Sequence, residues 1–216
     1  MVQDPFSPVL SRLQAGLVAE SAHLGRIPVI VAALNLDILK TFWRYRTQPD
    51  VTFTSYGGSG QAYVQSGPAG AVLWMDPAAS GYRDLFGRFL TEHWGTATTL
   101  TNSGYDVDHM YNRARARRYG YGLVRMFLVR GEINRDHGRA WERQIGTAEK
   151  DRFVKIMKLL DGMSELKVLG LPPVKNGLLL PEHHAAARQA AAQYGIPVDA
   201  ALQTLRALCE RVSAGD

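Results

Sequence analysis

An α/β (α+β) fold, with short strands surrounded by helices, is the class this sequence predicts, and three observations lead to it. Short β-branched or alternating runs recur between longer stretches whose apolar residues repeat at helical spacing. Glycine and proline punctuate the chain at intervals suited to turns. At 216 residues and 46% apolar, the chain can bury a real core, which excludes a disordered reading and favours one domain with a helical appendage.

Residues 8–24 predict a first helix, with Ser7 as N-cap, Pro8 at the first helical position and Val9, Leu10, Leu13 and Leu17 as an apolar stripe. Gly25 ends it. Residues 27–32 suit a buried strand, and a short helix runs through Leu36, Leu39 and Phe42. Strands at 51–54 and 61–65 flank a glycine-rich turn, and 71–75 is a third. Residues 76–81 predict a turn, 82–94 a helix with Tyr82, Leu85, Phe86, Phe89 and Leu90 inward, and 95–104 a loop. A brief strand at 105–108, a helix at 110–119, a stop at Gly120 to Gly122 and a strand at 123–129 follow. Residues 140–145 add a helical turn or two. Thr147 caps a long amphipathic helix carrying Phe153, Ile156, Met157, Leu160 and Met163, and 171–181 is a linker. The end, 182–193 and 198–212, is an alanine-rich helical pair broken at Gly195-Ile196-Pro197.

The longest apolar stretch, 27–34, contains Pro28 and falls short of the roughly 20 residues that cross a bilayer. The opening 1–13 carries Asp4, Pro5 and Pro8 in place of a secretory pattern, so the expected location is the cytoplasm, without membrane insertion. A lone cysteine, Cys209, on an apolar helix face reads as packing and makes neither a disulfide nor a multi-cysteine metal site. The formal charge of +5 is unevenly spread. Between His109 and Arg143 stand nine arginines, no lysine and three acids, a net of +6. The remainder has 25 − 9 = 16 basic and 20 − 3 = 17 acidic residues, a net of −1, so the basic character belongs to one segment. That is the footprint of a local phosphate or nucleic-acid site.

Within residues 105–129 a strand runs directly into a helix. Unpaired amides at a helix start, with the positive end of its dipole, make an anion seat. Asn112, Arg113, Arg115 and Arg117 stand where they could close it, since a guanidinium matches phosphate oxygens bidentately. The bland alternative is a solvated arginine face with Asp108 or His109 as an ordinary cap. Asp106, Asp108 and His109 are the acid/base groups adjoining the seat, and an Asp pair can hold Mg²⁺ on a phosphate. Asn134, Arg135, Asp136 and His137 lie in a polar segment, 134–138, expected to be a loop beside the arginine helix and to share its ligand. An HNH nuclease built from Asp108, His109, Asn134 and His137 is disfavoured, because the last two are only three residues apart.

The pattern Arg113-x-Arg115-Ala116, then Gly120 and the strand 123–129, resembles the second conserved box of ParB-type nuclease and sulfiredoxin domains, in which an arginine-rich helix start binds nucleotide phosphate. Met110 and Tyr111 stand where that box opens with a glycine and an acid. The longer run, with Met126-Phe127-Leu128-Val129 and Ile133-Asn134-Arg135-Asp136-His137-Gly138, resembles the plasmid fertility-inhibition proteins of the Osa and FiwA type over roughly 25–143. Those proteins block conjugative DNA transfer by a co-resident plasmid at the coupling protein of the type IV secretion apparatus. The resemblance implies a ParB/sulfiredoxin-like mixed sheet at 25–170, with 1–24 and 171–216 as additions. It also implies binding to the coupling protein or its DNA, assisted by nucleotide hydrolysis or DNA cleavage with ATP and Mg²⁺. A free-standing ParB-like nuclease or nucleoside triphosphatase is the alternative, and a non-enzymatic arginine-rich interaction module is the third reading.

Weaker signals read as structure. Trp43-Arg44-Tyr45-Arg46 is a packed tryptophan with snorkelling arginines before it is a stacking surface. Gly57-Gly58-Ser59-Gly60 lacks the lysine and hydroxyl of a Walker loop. His183-His184 is a solvated first helical turn.

Overall fold

A computed structural model describes residues 4–23, 29–46, 50–58, 60–96, 99–139, 156–173, 178–194, 197–200, 202–203 and 205–207. The chain divides into two compact units, one of Met1–Gly131 with Ala148–Leu160, the other of Glu132–Thr147 with Asp161–Asp216.

The first unit is a curled antiparallel sheet with helices. Its strands are β1 (Ile30–Ala33), β2 (Thr52–Tyr56), β3 (Ala62–Gly67), β4 (Gly70–Met75), β5 (Tyr105–His109), β6 (Leu123–Arg130) and β7 (Met157–Leu159), in the order β2-β3-β4-β6-β1-β7 with β5 also on β6. The first half of β6 pairs with β4 and β1, through Arg125 opposite Trp74 and Val124 opposite Ala32. Its second half pairs with β5, from Met126 opposite His109 to Arg130 opposite Tyr105. The predicted α+β class holds, although each described pairing is antiparallel, so the sheet is not mixed.

Helix α1 (Ser7–His23) belongs to this core, in contrast to the expectation of an added N-terminal helix. Phe6, Val9, Leu10, Leu13 and Leu17 are buried, and the helix packs on β6. Asp4 anchors its start by accepting from the Phe6 amide at 3.0 Å and the Tyr105 hydroxyl at 2.6 Å. Gly16 allows the close approach, since a Cβ there would stand 2.7 Å from the Ala69 carbonyl oxygen. Near the other end, Glu20 accepts from Arg125 at 2.8 Å, and these side chains are 3% and 4% exposed. Helix α2 (Leu36–Arg46) contributes Leu39 to a cluster with Ile30, Val72, Trp74 and Leu123. Helix α3 (Tyr82–Trp94) lies where the sequence places it and buries Phe86, Phe89 and Leu90, packing on β4 and β5.

Two expectations fail. The helix expected after Thr147 lies outside the described residues as far as 155, but Met157 is in β7, opposite Ala33. The edge of β1 needs hydrogen-bond partners, and this segment supplies them: Leu34 N–H donates to Ile156 and Leu160 N–H to Val29. The helical spacing of Ile156, Met157 and Leu160 is thereby overridden by tertiary pairing. Residues 134–137 are also helical, in α5 (Gly131–His137), where a loop was expected.

In the second unit, α6 (Gly162–Val168) starts at Asp161, whose carboxylate caps the Ser164 amide at 2.7 Å. Its Met163 and Leu166 form a cluster with Leu171, against which Ala186 of α7 (Pro181–Tyr194) and Leu205 pack. The alanine-rich tail therefore packs on the α6 cluster within the second unit. His183 is fully buried, not solvated: its Nδ1 accepts from the Leu180 amide and its Nε2–H donates to the Pro172 carbonyl at 3.1 Å. The predicted turns at 140–145 and Cys209 lie outside the described residues.

A buried charge left without its partner is costly, whereas a buried pair replaced by apolar side chains of similar size is often neutral. Glu20→Ala should therefore cost about 3–5 kcal/mol in urea unfolding. The double variant Glu20→Met, Arg125→Met should recover most of that loss. Equal destabilisation by the two would mean that the pair itself contributes the stability.

Candidate functional site

The expected anion seat is already occupied by the protein. Helix α4 spans only Arg113–Arg118, and Asn112 is its N-cap. The Asn112 side-chain oxygen accepts from the Ala114 amide at 3.0 Å and the Arg115 amide at 3.2 Å, so two amides of the actual helix start are capped by the protein itself. Met110 and Tyr111, predicted as the helix start, are instead buried between β5 and the cap. Their apolar bulk turns inward, which delays the helix to Arg113.

The arginines divide by environment. Arg113 donates from Nε to the Pro77 carbonyl at 2.6 Å and reaches the Ala79 carbonyl at 3.5 Å, with its guanidinium 5.7 Å from the centre of the Tyr82 ring. It is a clamp on the turn before α3. Arg115 is half-buried, whereas Arg117 and Arg118 are exposed, Arg118 lying over the Tyr119 ring. Arg125 is in the core with Glu20.

The acid/base candidates are likewise distributed. Asp106 accepts from Arg83 at 2.7 Å. Asp108 is half-buried on β5. His109 packs edge-on against Tyr82 with ring centres 4.8 Å apart, and its Nε2 is buried without a hydrogen-bond partner among the described residues. Burial holds its pKa down at about 4, and the nearby Arg113 charge acts in the same direction. The ring is thereby held in its neutral form at pH 7. Asn134, Arg135, Asp136 and His137 belong to the other compact unit, where they lie on helix α5. There Asn134 is half-buried, Arg135 exposed, and Asp136 lies 3.8 Å from Arg139. His137 is buried and donates to the Leu171 carbonyl at 2.8 Å.

Among the described residues no group of three or more His, Cys, Asp or Glu side chains is placed to hold a metal ion, and no helix is long and apolar enough to cross a membrane. An open polar groove of about 500 Å³, walled by Arg83, Arg88, Glu92, Leu100 and Asn102, went unnoticed in the sequence. Its walls come from α3 and a loop that lacks a recognisable motif. Comparison with protein-family models, with curated proteins and with solved structures finds no match.

Two outcomes follow for this region. Arg113→Ala should cost about 1.5–3 kcal/mol, the range for a hydrogen bond to a charged group. Arg117→Ala and Arg118→Ala should each stay within about 0.5 kcal/mol. Thermal unfolding of the three variants decides between clamp and free ligand for Arg113. The second outcome concerns pH. Because the folded-state pKa of His109 is depressed, its contribution is present above about 6.5 and lost as pH falls towards 4. Urea titrations at pH 7 and pH 4 should differ by about 2–3 kcal/mol more in wild type than in His109→Phe, which keeps the ring and removes the titration.

Proposed function

We propose that this protein is a fertility-inhibition factor that blocks conjugative DNA transfer by binding, without catalysis, at the coupling protein of the type IV secretion apparatus or at its DNA cargo. The observation that carries the binding part is the exposed Arg117 and Arg118 pair, presented by a helix held in place by the Asn112 cap and the Arg113 clamp. A guanidinium pair on a braced backbone meets phosphate or carboxylate without a further backbone ordering cost, so that only the side chains have to be ordered. The partner follows from the resemblance of residues 126–129 and 133–138 to the fertility-inhibition pattern.

The state of the acid/base groups favours binding over a free-standing nuclease or nucleoside triphosphatase. Asp106 is held by Arg83, His137 by a backbone carbonyl, and His109 is neutral and buried at Nε2. Hydrolysis through these three groups would first require those contacts to be given up.

Expressed in a donor cell, the protein should reduce transfer of a second conjugative plasmid without slowing growth. Arg117→Ala, Arg118→Ala should restore transfer while the chain remains folded. Unchanged transfer with wild-type protein defeats the fertility-inhibition reading, and full inhibition by the double variant defeats the arginine face. If DNA is the partner, affinity for a duplex should fall steeply between 50 and 200 mM salt, roughly tenfold or more for a few phosphate contacts. A complex with the coupling protein that forms without DNA and is lost in the Arg117→Ala, Arg118→Ala variant assigns the partner to protein.

A further inference from the structure

A second feature of the first unit is independent of the arginines. Between α1, α2 and the β2-β3-β4 meander lies a cavity of about 170 Å³, lined among others by Glu20, Trp43, Val51, Gln65, Ala69 and Val72. It reaches the surface at the β3–β4 turn, where Pro68 is exposed. Its three polar side chains are deeply buried: Glu20 is 3% exposed, Gln65 4% and Trp43 5%. The Trp43 indole N–H has no hydrogen-bond partner among the described residues. Buried donors are almost always satisfied, so an unpaired indole N–H on a cavity wall calls for an acceptor.

We propose that this cavity binds a small, neutral, single-ring amide of the pyrimidine-base type. Size sets the ring count, because a cavity of about 150 Å³ holds one benzene. Charge sets neutrality: the Glu20 carboxylate is already balanced by Arg125 at 2.8 Å, so a charged ligand would bring an unmatched charge into a desolvated space. Hydrogen-bonding capacity sets the amide. Trp43 offers a donor, and Glu20 offers carboxylate acceptor positions beyond the one taken by Arg125. Gln65 has its oxygen held by the Trp74 indole at 2.9 Å, which fixes the carboxamide. A lactam presents a carbonyl and an N–H side by side, the complement of that set. Val51 and Val72 supply apolar wall for the ring faces.

Uracil is the probe, titrated into the full-length protein and followed through the tryptophan indole N–H signals in a ¹H–¹⁵N spectrum. The Trp43 signal, identified as the one missing from Trp43→Phe, should shift downfield and saturate. Benzene, which fills the volume but cannot accept that bond, should leave it nearly in place. Trp43→Phe should weaken uracil binding about fivefold to tenfold, the worth of one neutral hydrogen bond. Val51→Phe, which fills the cavity and spares Trp43, should reduce binding more than tenfold and keeps the test open if Trp43→Phe unfolds. An unmoved Trp43 signal up to the solubility limit of uracil overturns the site. Equal responses to benzene and uracil overturn the amide assignment, and undiminished binding by Val51→Phe overturns the location.

Discussion

The ion pair between Glu20 and Arg125 is the constraint on which the first unit depends. Arg125 sits on β6, the strand that β1, β4 and β5 all pair with, in a run buried from Leu123 to Val129. A guanidinium there has lost its water and needs a carboxylate. Glu20 brings it from α1 at 2.8 Å. We read the role of the pair as positional. Sliding α1 by one turn would keep most of its apolar stripe covered, yet would strand two buried charges. The Asp4 contact with Tyr105 and the close fit of Gly16 on Ala69 specify the same placement from elsewhere along the helix.

That arrangement changes the meaning of the arginine-rich segment. Nine arginines in 35 residues look like one electrostatic device when counted along the chain. In space they have separate tasks: Arg125 neutralises a core acid, Arg113 braces the turn before α3, and Arg139 lies near Asp136. What faces solvent on α4 is Arg117 and Arg118. Net charge over a stretch of sequence therefore overstates the charge available to a ligand, because burial and backbone contacts remove guanidinium groups from the count.

Legibility followed the range of the forces involved. Helix α3, the β2–β3–β4 meander and β6 could be read in advance because their periodicity and turn glycines are local. The β7 segment could not, since its conformation is decided by the open edge of β1 more than a hundred residues away. The helix start at the candidate site was hidden for the same reason. Asn112 reads in the sequence as part of the first helical turn, whereas the inward turn of Met110 and Tyr111 makes it the cap, and its oxygen takes the amides of Ala114 and Arg115. Likewise, the solvated reading of His183 had no local signal against it, because the carbonyl of Pro172 that holds its ring lies beyond the span of helical periodicity.

The Asn112 cap also bears on the kind of partner that the proposed function calls for. A single phosphate entering at the start of α4 would have to displace the Asn112 side chain from two amides, giving up a cap worth about 1 kcal/mol. In return it would meet the dipole of a helix of only six residues, too short for the aligned peptides to add much. Arg117 and Arg118 carry no such cost, but as exposed side chains each contributes little alone and is weakened by salt. Useful affinity then requires several contacts made together, as along a DNA backbone or across an acidic protein face. Under the proposed function, this surface suits an extended anionic partner that engages it at many points better than a nucleotide held at α4 alone.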